Sequence, residues 1–275
     1  MSTGPLRLVI AVVVLVLLAR AAMGAWRNRR LTTVVWRTMG LRHVGGAFAL
    51  FAIVAMVASL LLMSPLLRFG LGSLVGFSGN AVFTPLEEIA ARSGRLGAEG
   101  GFDWYVVGVA TVFLGVLALL LPWLAFVEEE IFRGGLEGAN LREELTTALR
   151  FGLVHLIMLV PIAAALAIAV AGFAYGRIYR RAYDSAAYSR IPEVVARTYR
   201  PTPRARRAAM RARLRQVRVP AAAEGVVAAL APPTGVPPEL RQAAGVLAST
   251  VWHTTFNSLV LVLLWLAMLL DAATG

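Results

Sequence analysis

The chain has 275 residues, no cysteine, 59% hydrophobic residues, only 15% charged residues and a mean hydropathy of +0.72. Soluble domains carry about 25% charged residues, and a chain of this length cannot hide so much apolar surface in one water-bounded core. Disordered, coiled-coil, collagen-like and ordinary soluble architectures are therefore excluded, which leaves a polytopic membrane protein. The net charge of +12 rests on 27 basic residues, all of them Arg. The lack of cysteine removes disulfides, zinc–thiolate sites and a thiol nucleophile.

A membrane-spanning helix needs about 20 mostly apolar residues. The first candidate covers 6–26, with Arg20 near one end; it lacks the basic start and short apolar stretch of a cleaved signal and reads as a retained anchor. The second covers 44–67 and the third 105–127. A long apolar tract follows at 151–179, interrupted by Pro161, and the last candidate covers 244–270. Pro161 decides the topology. One kinked helix gives five spans, whereas a tight hairpin gives two arms, 143–161 and 161–179, each of about 19 residues and just long enough to cross. The positive-inside rule favours the hairpin. Arg27, Arg29 and Arg30 place the end of the first span in the cytoplasm, 68–103 becomes an external loop, and Glu128 to Arg133 lie inside. The hairpin then returns the chain inside at Arg177, Arg180 and Arg181. The expected fold is an all-α, polytopic transmembrane helix bundle of about six spans with an Arg-rich cytoplasmic insert.

The chain divides accordingly into a two-span region with its external loop (1–104), the first part of a core (105–179), the insert (180–242) and a last core helix (243–275). The external loop is Gly-rich, with a short helix expected at 85–92 and no function assigned. Between Arg180 and Arg218 twelve Arg stand against Asp184 and Glu193, so this stretch holds +10 of the net +12. Pro201, Pro203, Pro220, Pro232, Pro233, Pro237 and Pro238 mark it as linker-like, with one helix expected at 204–217.

Polar residues inside spans are costly and usually functional. Three places stand out. In Glu128-Glu129-Glu130-Ile131-Phe132-Arg133, Glu129 and Arg133 are four apart and can pair, while Glu128 projects about 100° away. Phe151 and His155 share one helix face, and His253 and Asn257 share another. Taken singly, each has a plain reading: a solvated helix end with a salt bridge, an interhelical hydrogen bond, and polar packing between helices. Under the six-span topology all three line one cavity open to the cytoplasm. A carboxylate, two imidazoles and a carboxamide there would activate water and hold an oxyanion. Glu128, His155 and His253 would alternatively form a two-His, one-carboxylate zinc site, although no HExxH is present.

EEEIFRG, FGLVH and HTTFN, in that order, resemble the EExxxR, FxxxH and HxxxN signatures of the CPBP family, which contains the type II CAAX prenyl endopeptidases and the bacterial Abi proteins of bacteriocin processing and immunity. Gly172-Phe173-Ala174-Tyr175-Gly176-Arg177-Ile178-Tyr179 is similar to the family's glycine-bearing span, and the resemblance covers roughly 114–270. It implies a glutamic intramembrane protease open to the cytoplasm and free of metal or other cofactor. Glu128 would be the general base for water, assisted by His155. His253 and Asn257 would stabilise the oxyanion, with Glu129, Arg133 and Phe151 in support. The chain departs from the family in the roughly 60 residues that separate the glycine-bearing span from HxxxN.

The implied activity is an intramembrane endopeptidase acting on a membrane-associated protein or peptide. An Arg-only, Ala-rich composition points to a GC-rich bacterial genome, hence to the bacterial cytoplasmic membrane and away from a prenylated CAAX substrate. The alternatives are a non-enzymatic scaffold or immunity-type protein that keeps these residues as a packing network, and a transporter relaying protons through Glu128 and His155. For the insert, 204–218 places Met210, Leu214 and Val217 on one face among Arg residues. That suits an anionic leaflet or gating of substrate access, with a disordered basic loop as the plain reading. Nucleic acid is not expected as a partner, since no aromatics are interleaved.

Overall fold

The computed structural model of the protein describes residues 4–74, 80–84, 104–185, 191–217 and 236–274. The helix expected at 85–92 lies outside them, as do Arg218, Pro220, Pro232 and Pro233. Nine helices of six residues or more are described: α1 (Gly4–Arg27), α2 (Arg29–Thr38), α3 (Leu41–Leu62), α4 (Trp104–Arg133), α5 (Leu141–Val154), α6 (Ile162–Asp184), α7 (Glu193–Thr198), α8 (Pro203–Val217) and α9 (Pro238–Thr274). No strand occurs among the described residues. Five helices are long and apolar enough to cross a membrane, at Pro5–Arg27, Leu41–Leu62, Val107–Arg133, Ile162–Asp184 and Pro238–Leu270. The fold is an all-α transmembrane bundle.

The hairpin at Pro161 forms. Leu159 turns the chain in the left-handed region (φ 65°), and Ile162 N–H donates to Phe69 O at 2.8 Å, which ties the turn to the segment after α3. Its first arm is shorter than the 19 residues expected. α5 has 14 α-helical residues, about 21 Å at 1.5 Å per residue, before a 3-10 turn at His155–Met158. It is also polar at its start. Asn140 and Glu143 cap it reciprocally at 3.0 Å, and the buried Glu144 carboxylate takes Arg177 at 3.3 Å and Arg180 from α6. This arm is therefore not among the helices that meet the length and apolarity of a span.

α4 and α9 pair antiparallel. Leu261 of α9 packs among Leu114, Leu117 and Leu121 of α4, and further along the same pair His253 meets Glu129. α9 is the central post, touching α3, α4 and α6. By contrast, only 17% of the α1 span and 6% of the α3 span is buried, so these helices present most of their apolar surface to lipid. α4 runs past its apolar part through all of EEEIFR and stops at Gly134-Gly135. There Gly135 adopts φ +95°, and a Cβ at either glycine would press on Arg204 or Ala205.

Two features depart from the expectations. A further helix, α2, follows α1: Leu31 and Val35, one turn apart, are fully buried, while its Arg residues face outward. The insert is also not a free linker. Besides the expected helix (α8), it forms α7, and Val195, Tyr199, Ala205 and Ala209 are buried against the bundle end. Tyr199 hydroxyl donates to Gln242 at 3.2 Å, and Gln242 donates to Ala205 O at 2.8 Å and to Glu137 at 2.5 Å. Burial, then the nearby Glu137 carboxylate, pushes the Tyr199 hydroxyl above the ordinary phenol range, so it remains a donor. Of the apolar face expected on 204–217, Met210 is exposed; the side chains of Leu214 and Val217 lie outside the described set.

A Cβ at Gly152 would stand 2.2 Å from Ala165 O, whereas one at Gly115 meets nothing within 4 Å. Gly152→Ala should therefore destabilise the protein by about 2 kcal/mol or more through backbone displacement in the hairpin. Gly115→Ala should be neutral or add up to about 1 kcal/mol of stability. Unfolding in detergent compares the two, and equal stability would contradict the close approach of α5 and α6.

Candidate active site

Glu129 and Arg133 pair as their spacing requires, with Nε to Oε2 at 3.0 Å and side chains 0% and 1% exposed. The second oxygen of Glu129 has a partner that spacing did not show. Oε1 lies 3.0 Å from Nδ1 of the buried His253, 124 positions away. A carboxylate can only accept, so Nδ1 carries the proton and Nε2 is turned to the opposite side of the ring. There, Nε2 stands 3.8 Å from Oε2 of Glu128, a half-buried carboxylate. One carboxylate thus holds the imidazole and a second faces its other nitrogen. Two adjacent residues achieve this because consecutive positions on α4 point about 100° apart.

Phe151 is the hub of the surrounding aromatic packing. Its ring is fully buried, edge-on to His155 (centroids 5.0 Å), His253 (5.6 Å) and Tyr175 (6.3 Å), with the Arg133 guanidinium over its face at 4.6 Å. Phe151 therefore carries both imidazoles. It reaches this position because Gly172 on α6 has no side chain: a Cβ there would come within 2.7 Å of the Phe151 ring. His155 begins the 3-10 turn that ends α5, and its Nδ1 donates to Phe151 O at 2.8 Å. Its Nε2 is left as the nitrogen open to other groups.

Tyr175 was not singled out for a role from the sequence. It is buried in α6 and stacks on His253, with ring centroids 4.7 Å apart and planes 20° from parallel. Its only sequence signal was membership of the glycine-bearing segment, where an aromatic residue ordinarily reads as core. The Tyr175 hydroxyl, Glu128 Oε2 and Arg133 Nη2 are buried atoms with no hydrogen bond among the described residues. Buried polar atoms in that condition are few in folded proteins, at roughly 1–3 kcal/mol each. Three around one histidine give the site spare capacity to bind a small polar group.

The structure therefore brings together Glu128, Glu129, Arg133, Phe151 and His253, and His155 joins them through Phe151, by its ring and by Nδ1. Asn257 stands one turn beyond His253 on the same face of α9, half-buried, and its carboxamide has no hydrogen-bond partner among the described residues. Among the described residues no group of three or more His, Asp or Glu side chains is placed to hold a metal ion. No protein-family model, curated protein or solved structure matches the chain.

Arg133→Met would leave Glu129 buried with only His253 for a partner, and should lower stability by about 3–5 kcal/mol. Adding Glu129→Gln removes the stranded charge and should recover part of that loss. A double-mutant cycle by denaturant or thermal unfolding checks this; strictly additive losses would show that the pair is not coupled.

Proposed function

We propose that the protein is an intramembrane endopeptidase of the CPBP type, cleaving membrane-proximal peptide bonds with activated water. The observation that carries this reading is the placement of His253 between two carboxylates, Glu129 at Nδ1 and Glu128 toward Nε2. Glu128 takes a proton from water as the water oxygen bonds to the scissile carbonyl carbon. The carbonyl oxygen becomes an oxyanion, met by the Asn257 carboxamide and by the His253 side chain. Collapse of the tetrahedral intermediate breaks the C–N bond, and the proton held by Glu128 leaves with the amine. His155 assists through Nε2. Glu129 holds the imidazole at Nδ1, and Arg133 pairs with the other oxygen of Glu129.

The substrate on this reading is a membrane-associated peptide or protein, and the chain belongs to a bacterial cytoplasmic membrane with the site toward the cytoplasm. Neither metal nor organic cofactor enters the chemistry. The docked insert would lie on the substrate's side of the site, which suits gating of access.

One observation favours the scaffold alternative: both oxygens of Glu129 are matched, by Arg133 and by His253, as in a packing device. Glu128 argues the other way. Its Oε2 is buried without a hydrogen bond, 3.8 Å from His253 Nε2, which a device for stability alone would not retain. Glu128→Gln separates the two, since it keeps the shape and removes the base. New protein termini in host membranes should appear with the wild type and be lost at least 100-fold with Glu128→Gln at equal expression. Identical terminus maps for the two proteins would overturn the protease reading.

A further inference from the structure

A cavity of about 440 Å³ opens beside α4, on a different part of the helix from His253. Its inner wall is Trp123 and Phe126, stacked at 6.1 Å and 19°. Three arginines line it, Arg30 from α2 and Arg197 and Arg200 from the insert. Two carboxylates also line it, and both are engaged. Glu193 pairs with Arg197, and Glu130 accepts from the backbone N–H of Arg200. Arg30 has no ion pair or hydrogen bond among the described residues, and Arg200 spends only Nη1, on the carbonyls of Arg197 and Tyr199. The cavity thus joins an aromatic floor to unspent cationic donors, which is the chemistry for a phosphate attached to something apolar.

Its depth agrees with such a ligand. The cavity sits where the apolar run of α4 gives way to Glu128 and where α1 ends in the exposed Trp26, with Arg29 5.4 Å above that ring. Tryptophan and arginine together mark a membrane–water boundary. From the cavity an exposed apolar stripe leads along α4 into the membrane-spanning part: Val112, Val116 and Leu119, at the spacing that ends on Trp123.

We propose that this cavity is a phospholipid site, in which the phosphodiester of an anionic headgroup meets Arg30 and Arg200 and one acyl chain follows Val112, Val116 and Leu119. The site is specific to this chain's insert, because Arg197 and Arg200 close it from α7 and the residues after it. It stands independently of the peptidase reading. It also differs from a diffuse attraction of α8 to an anionic leaflet, since it requires particular guanidinium groups rather than total charge.

Native mass spectrometry of the full chain in detergent tests it, counting bound phosphatidylglycerol against phosphatidylcholine, with inorganic phosphate as competitor. Each basic residue near a charged surface contributes about 1 kcal/mol, or about fivefold. Arg30→Gln should therefore reduce phosphatidylglycerol retention about fivefold and Arg30→Gln/Arg200→Gln about thirtyfold. Arg207→Gln/Arg211→Gln, which removes the same charge from α8 outside the cavity, should leave retention near the wild-type level. Arg200 also fastens the end of α7, so the single Arg30 variant keeps the test valid if the double variant loosens the insert. Equal losses in the two double variants would reduce the effect to surface charge, and retention unchanged in Arg30→Gln would remove the site. Inorganic phosphate displacing the lipid at equal concentration would make it a site for the free anion; any of these results overturns the proposal.

Discussion

A single carboxylate in an apolar bundle organises this protein. Glu129 is fully buried, and an ionised carboxylate there costs several kcal/mol unless its oxygens are matched by charge and hydrogen bonds. Arg133 matches one oxygen within α4, and His253 matches the other from α9. The demand for partners therefore fixes how far α4 and α9 slide past one another. The leucine contacts further along the same two helices share that register.

The rest of the architecture serves that contact. Phe151 brings α5 to it by lying under the Arg133 guanidinium and between the two imidazoles, and Gly172 and Gly152 let α5 and α6 approach closely enough for this. The insert closes the end of the same assembly. Its backbone lies on Gly134-Gly135 directly after Arg133, and Gln242 of α9 joins Glu137 to Ala205 about three turns from His253. A basic segment that reads as a linker is thus a structural part of the bundle end, and one side of the proposed lipid cavity.

Much of this was legible in the sequence, for a plain reason: membrane helices must satisfy their backbone internally, so long apolar runs report themselves, and a proline in mid-run followed by arginines that belong inside reports a turn. The hairpin at Pro161 and the five long helices followed from that. The short first arm was harder, since its polar start at Glu143 and Glu144 reads equally as loop or helix until Arg177 and Arg180 are known to face it. The docking of the insert was not legible. Its burial depends on Val195, Tyr199, Ala205 and Ala209, four residues scattered among arginines with no clear period. At the site, i, i+4 spacing revealed Glu129–Arg133 and the shared face of His253 and Asn257. Spacing carries no information across 124 positions, so Glu129 read as a support for Glu128 when its main partner beyond Arg133 is His253. Phe151 and Tyr175 were read low for a similar reason, because aromatic rings in apolar helices look like ordinary core.

The central claim is that Glu129 holds His253 by Nδ1 and thereby turns Nε2 toward Glu128. The three histidines give it an internal contrast. His43 accepts the Gly40 N–H at its Nδ1, whereas His155 donates from Nδ1 to Phe151 O and His253 donates from Nδ1 to Glu129. Nitrogen-15 NMR of histidine-labelled protein in lipid, assigned by single-histidine variants, reads the proton position directly. The account predicts a proton on Nδ1 of His253 and His155 and on Nε2 of His43. A bare Nδ1 on His253, with its proton on Nε2, would contradict it.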